Sequence, residues 1–168
     1  VSDALNAVNS GMFPLCDMAA LSESFDPAAG TWTAESSLGT VTSTYIGSST
    51  ETAPACDTTN VAVFKALDPP AVQTATLSQT ALQVPWQTKD LTFYLKSTGG
   101  GKYDSFAVVT TLAGVDATVF TVQGDDTAYA GAYKQVTVST MSPYAGQTLD
   151  AIKFVAKLAD KTVASSFA

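Results

Sequence analysis

From Leu21 onward, apolar residues come in short patches separated by clusters of Gly, Pro, Asp, Asn and Ser, and within the later patches apolar and polar side chains alternate. A repeat of two residues puts successive side chains on opposite faces of an extended chain, so one face meets a core and the other meets water. In "DLTFYLK", Leu91, Phe93 and Leu95 share one face, and Thr92, Tyr94 and Lys96 share the other. In "YKQVTVSTM", Val136 and Val138 oppose Tyr133, Gln135, Thr137 and Ser139. In "LDAIKFVAKL", Ile152, Phe154, Ala156 and Leu158 alternate with Lys153, Val155 and Lys157.

The pattern predicts strands near 21–26, 31–35, 40–46, 60–66, 73–83, 90–97, 104–112, 116–122, 132–140 and 149–158. Short strands with one polar face are antiparallel material, and ten of them need two packed sheets. The expected fold is therefore an all-β, two-sheet antiparallel β-sandwich of jelly-roll type over 21–168. Residues 1–20 carry Ser2 and Asp3 as helix caps and Gly11 and Pro14 as stops, and are expected to form a short helical or irregular leader packed on it. "GGGKYDSF" reads as a flexible connection or loop tip, and "SPYAGQT" as a turn returning the chain, with Gly146 able to supply a positive φ.

Composition narrows the function. The 168 residues suit one ordinary domain, dominated by Ala, Thr, Ser and Val, with 14% charged residues. Eight lysines, no arginine and no histidine leave a net charge of −7. No cationic surface is available to neutralise phosphates, so nucleic acid is not an expected partner. Without histidine, Ser–His–Asp and Cys–His nucleophile arrangements are excluded. No apolar run is long enough for membrane insertion as a helix, and no stretch of these residues reads as a signal peptide. Cys16 and Cys56 match no zinc or redox spacing, which leaves a disulfide or two thiols. The acidic, Thr-rich character points to a secreted or cell-surface setting, and that setting favours the bridge. The ending "ASSFA", an apolar pattern with no closing turn, suggests a piece excised from a larger surface protein.

The order of landmarks "LSESFDPAAGTWT", "TNVAVFKA", "TKDLTFYLKSTGGGKYDSFAVVTT" and "YKQVTVSTMSPYAGQTLDAIKFVAKL" resembles the jelly-roll domains of the cleaved-adhesin and MAM type, found in bacterial surface adhesins and extracellular receptors. That resemblance implies adhesion or glycan binding by a non-catalytic module, with a glycan or cell-surface protein as partner. It also implies a structural Ca²⁺ held in loops at the positions of Glu23, Asp26, Asp57 and Asn60. Calcium takes six to eight oxygen ligands, which distant loops can gather. The plainer reading of these four is a set of solvated turn residues. The same choice applies to Asp125 and Asp126 in "QGDDTAYAG", where a hydrated turn is favoured.

Sugar recognition needs aromatic rings to stack on pyranose faces and amides to bond hydroxyls. Tyr94, Tyr133, Gln135 and Thr92 would meet those needs if their strands are neighbours, with Trp86, Tyr129 and Tyr144 as further loop candidates. Trp32 is read as core. A carboxylate glycosidase is disfavoured because the only glutamates, Glu23, Glu35 and Glu51, lie in the N-terminal third, away from the strands whose polar faces would line a cleft. A structural module without a ligand of its own is the other alternative.

Overall fold

The computed structural model describes residues 33–36, 64–65, 73–158 and 166–167. Its strands are β1 (Thr33–Ser36), β2 (Phe64–Lys65), β3 (Gln73–Gln83), β4 (Leu91–Leu95), β5 (Ser97–Thr98), β6 (Ser105–Leu112), β7 (Val115–Gln123), β8 (Lys134–Val138), β9 (Thr148–Leu158) and β10 (Ser166–Phe167). The fold is an antiparallel β-sandwich. One layer is a five-stranded sheet in the order β1-β3-β9-β6-β7. The other holds a β4-β8 ladder and a small β2-β10-β5 sheet, joined because β4 and β5 are separated by Lys96 alone.

Why β9 is central follows from its composition. Its eleven residues pair along one edge with β3, through Leu77↔Phe154 and Gln79↔Ile152, and along the other with β6, through Val108↔Phe154 and Thr110↔Ile152. Ile152, Phe154, Ala156 and Leu158 are buried, as the alternation predicts, and Leu149 and Ala151 are buried on the opposite parity. From the other layer come Leu91, Leu95, Val136, Val138 and Phe167, all buried. The two inner faces meet in a phenylalanine cluster. Phe93 of β4 packs edge-on against Phe120 and Phe154 at ring separations of 5.6 and 5.8 Å, and Phe106 of β6 meets Phe64 and Phe167 at 5.6 Å each. Each ring buried this way contributes about 1.5–3 kcal/mol from area alone, plus about 0.5–1.5 kcal/mol from aromatic pairing.

Local chemistry explains the irregular points. Ala113 and Gly114 close the β6–β7 hairpin with φ of +51° and +75°, which is a two-residue type I′ turn. Between Val108 and Val109 the ladder slips, so that Val108 faces Phe120 and Val109 faces Thr118. Val119 is the extra residue of a β-bulge, and the bulge lets Val119 and Phe120 both pack on the core although they are adjacent in sequence.

Two expectations change. The stretch from Ser139 to Gln147 does not fold β9 back onto β8: Ser139–Tyr144 is a 3₁₀ helix, and the chain crosses to the opposite layer. Pro143 lies inside that helix, where a missing N–H rules out continued ladder pairing. "GGGKYDSF" is a tightly packed corner instead of a loose tip. Asp104 is fully buried there, its carboxylate accepts the Gly101 N–H at 3.0 Å, and its backbone bonds Gly101 and Gly124. Ser166 and Phe167 pair with both β2 and β5, which makes β10 the middle strand of the small sheet. The leader expected over 1–20, the strands expected at 21–26 and 40–46, and Trp32 lie outside the described residues.

Candidate functional site

The polar side of the second layer is built by the β4–β8 register. Thr92 pairs with Thr137 and Tyr94 with Gln135, and Leu91, Phe93 and Leu95 on the alternate positions point into the core. Lys96 continues the outer face two residues past Tyr94, and Tyr133 continues it two residues before Gln135. Their contact confirms the parity: the Lys96 ammonium stands over the Tyr133 ring, 4.9 Å from its centroid. Cross-strand partners have Cβ atoms about 4.5–5.5 Å apart, so the Tyr94 and Gln135 side chains are direct neighbours on this face.

The resulting surface carries two phenols, one amide, two threonines and an ammonium on a rigid ladder. Gln135 and Thr137 are exposed, and Thr92, Tyr94, Lys96 and Tyr133 are half-buried. A phenol ring on a strand loses little entropy on binding, and a neighbouring amide both donates and accepts. Lys96 is expected on this face from its sequence, yet it is not among the expected ligand-binding residues. Its place in the "LTFYLK" alternation was the available signal. It occupies one face of the Tyr133 ring.

Trp86 belongs elsewhere. It occupies the β3–β4 connection, beside the turn that precedes β9, at the Leu91/Val138 end of the ladder, whereas Tyr133 lies past the Leu95/Lys134 end. Tyr129 and Tyr144, expected as open loop aromatics, pack against the hydrophobic core. Their apolar ring area is better buried than hydrated, which is the commoner fate of tyrosine beside a sheet.

Asp125 and Asp126 are exposed and form a turn: Asp126 Oδ1 accepts the Ala128 N–H at 2.9 Å, and the Asp126 N–H donates to Gln123 O at 3.2 Å. Among the described residues no group of three or more Cys, Asp or Glu side chains is gathered to hold a metal ion. Glu23, Asp26, Asp57, Asn60, Cys16 and Cys56 lie outside the described residues. Glu35 is exposed on the edge strand β1 opposite Thr76, in the other layer from Tyr94. On that outer face Asp116 accepts bonds from Thr111 Oγ1 and, at 3.1 Å, from Lys153 Nζ, and these two partners hold its carboxyl below the ordinary 3.8.

No protein-family model matches the chain, and no curated protein sequence matches it. The likeness to cleaved-adhesin and MAM domains therefore stands on strand punctuation. Among solved structures, a carbohydrate-binding module (CBM28) specific for non-crystalline cellulose is similar at 13% identity and a TM-score of 0.42, over 67% of this chain and 73% of that one.

Proposed function

We propose that this chain is a non-catalytic carbohydrate-binding module of an extracellular protein, with the outer face of β4 and β8 as its ligand platform. The supporting observation is the register that sets Tyr94 against Gln135, with Thr92, Thr137 and Tyr133 on the same exposed face. Stacking on Tyr94 supplies the non-directional part of binding, and Gln135 and the threonines select hydroxyl positions. Tyr94→Ala should weaken glycan binding by about 1–3 kcal/mol, or roughly 5- to 150-fold, with little change in melting temperature, by titration of hits from a glycan array. Unchanged affinity would remove the face from the site.

Secretion and a Cys16–Cys56 bridge, from the acidic, Thr-rich composition, and a loop calcium held by Glu23, Asp26, Asp57 and Asn60, from the adhesin resemblance, belong to this same reading. The intact mass under native and reduced conditions tests the bridge. Melting with Ca²⁺ and with EDTA tests the ion: an increase with calcium is expected, and coincident melts would discard the site.

A further inference from the structure

Trp86 is 82% exposed, yet it is held in place. It is the second residue of a turn closed by the Thr88 N–H on Pro85 O at 3.0 Å. Beneath it lies Gly146, in the left-handed region at φ +76°, where a type II turn from Tyr144 to Gln147 requires that conformation. A Cβ at Gly146 would point into the six-membered half of the indole, meeting Cδ2, Cε3 and Cε2 at nearly equal separations. The glycine is thus a seat for one face of the ring, and the other face is open.

The seat is fixed from both sides. Val84 donates to Gln147 O and accepts from Gly146 N–H, both at 2.9 Å, which ties the two loops together. Thr148 Oγ1 donates to Gln83 Oε1 at 2.7 Å, and the Gln147 amide donates to Pro143 O at 2.6 Å. A large aromatic ring on a rigid, neutral, amide-rich base is preorganised to meet a ligand, because little freedom remains to be lost.

The surroundings decide the ligand class. Among the described residues, Trp86, Tyr103 and Val115 are the exposed large hydrophobics, and no aliphatic patch adjoins the indole. A protein partner needs about 800 Å² of complementary surface with an apolar centre, which a lone ring does not supply. Gln83, Gln87, Gln147 and Thr148 are exposed and uncharged, and such groups bond hydroxyls at the rim of a stacked sugar. A pyranose with every hydroxyl equatorial presents axial C–H bonds on both faces and lies flat on such a ring.

We infer that Trp86, seated on Gly146, is a stacking subsite for one gluco-configured pyranose, separate from the β4–β8 platform. For its ligand class this rests on the carbohydrate reading. Its position does not, because Tyr94, the stacking residue of the platform, lies three strand residues past Leu91, about 10 Å along β4, more than one sugar ring covers. Two sites on one module would let two chains be held at once, raising avidity for a surface of many chains through effective concentration.

The test follows the Trp86 indole N–H by nuclear magnetic resonance, assigned by its loss in Trp86→Phe, while the β-1,4-linked glucose hexamer is added. A saturable shift is expected, weaker with the mannose hexamer, whose axial 2-hydroxyl interrupts one of the two C–H faces. Gly146→Ala should cut the hexamer's affinity at this site by at least about tenfold. Should that variant fold poorly, Trp86→Ala, an exposed truncation, should remove one of two binding events in calorimetry. An indole signal unmoved by the hexamer up to about 10 mM, beyond the usual limit of weak recognition, would overturn the subsite. So would a Trp86 shift abolished by Tyr94→Ala, since the two places would then be one. A silent Trp86 with Tyr94 still responding refutes the subsite alone, and the reverse refutes the platform alone.

Discussion

Ala113 adopts φ +51° in the first position of a type I′ turn, a conformation that costs an L-residue about 1–2 kcal/mol unless it is Gly or Asn. Ala113→Asn should therefore raise stability by up to about 1 kcal/mol, seen as a higher urea midpoint at unchanged slope. Asp116 gives a test with a definite pH signature. Its folded-state pKa lies below the ordinary 3.8, because of Thr111 first and Lys153 second. A depressed carboxylate contributes stability above its unfolded value and loses that contribution as pH falls through the lowered one. Asp116→Asn should thus melt below the wild type at neutral pH, and the gap should close as pH drops below 3.8. Because the pair is exposed, added salt should narrow the gap too.

At the scale of elements, the corner after β5 is as consequential as any strand. A Cβ on Gly100 would meet Gly124 O and come within 2.6 Å of Ser97 Oγ, whose hydroxyl bonds Gly124 O at 2.8 Å. Gly100→Ala should cost about 1–3 kcal/mol by overpacking, measured by chemical denaturation, whereas Ala at an open loop tip would be nearly neutral. Nothing in "GGGKYDSF" announces this, since three glycines look alike whether they give freedom or make room for a neighbour. Elements whose alternation is long were legible: β3 was expected at its observed bounds, β6, β7 and β9 within one residue at each end, and β4 within two. The 3₁₀ crossover was not, because Pro143 and Gly146 mark a turn without saying which sheet the next strand will join. β5 and β10, two residues each, are too short to carry a period.

For the molecule as a whole, periodicity gave the two packed layers, but the neighbours within each layer had to come from the structure. That Tyr94 and Gln135 could share a surface was readable from parity, and that they do depends on β4 pairing with β8. The same limit explains Trp86: a loop residue has no parity, so grouping it with Tyr133 rested on chemistry alone. Tyr129 and Tyr144 failed as open candidates because exposure in a loop is settled by tertiary packing.

The central claim is that the outer face of β4 and β8 is where a glycan binds. Amide and side-chain resonances followed during titration with a glycan-array hit test it most directly. The account predicts saturable shifts concentrated at Thr92, Tyr94, Tyr133, Gln135 and Thr137. Shifts confined to the outer face of the five-stranded sheet, around Thr76, Val109 and Lys153, would contradict it.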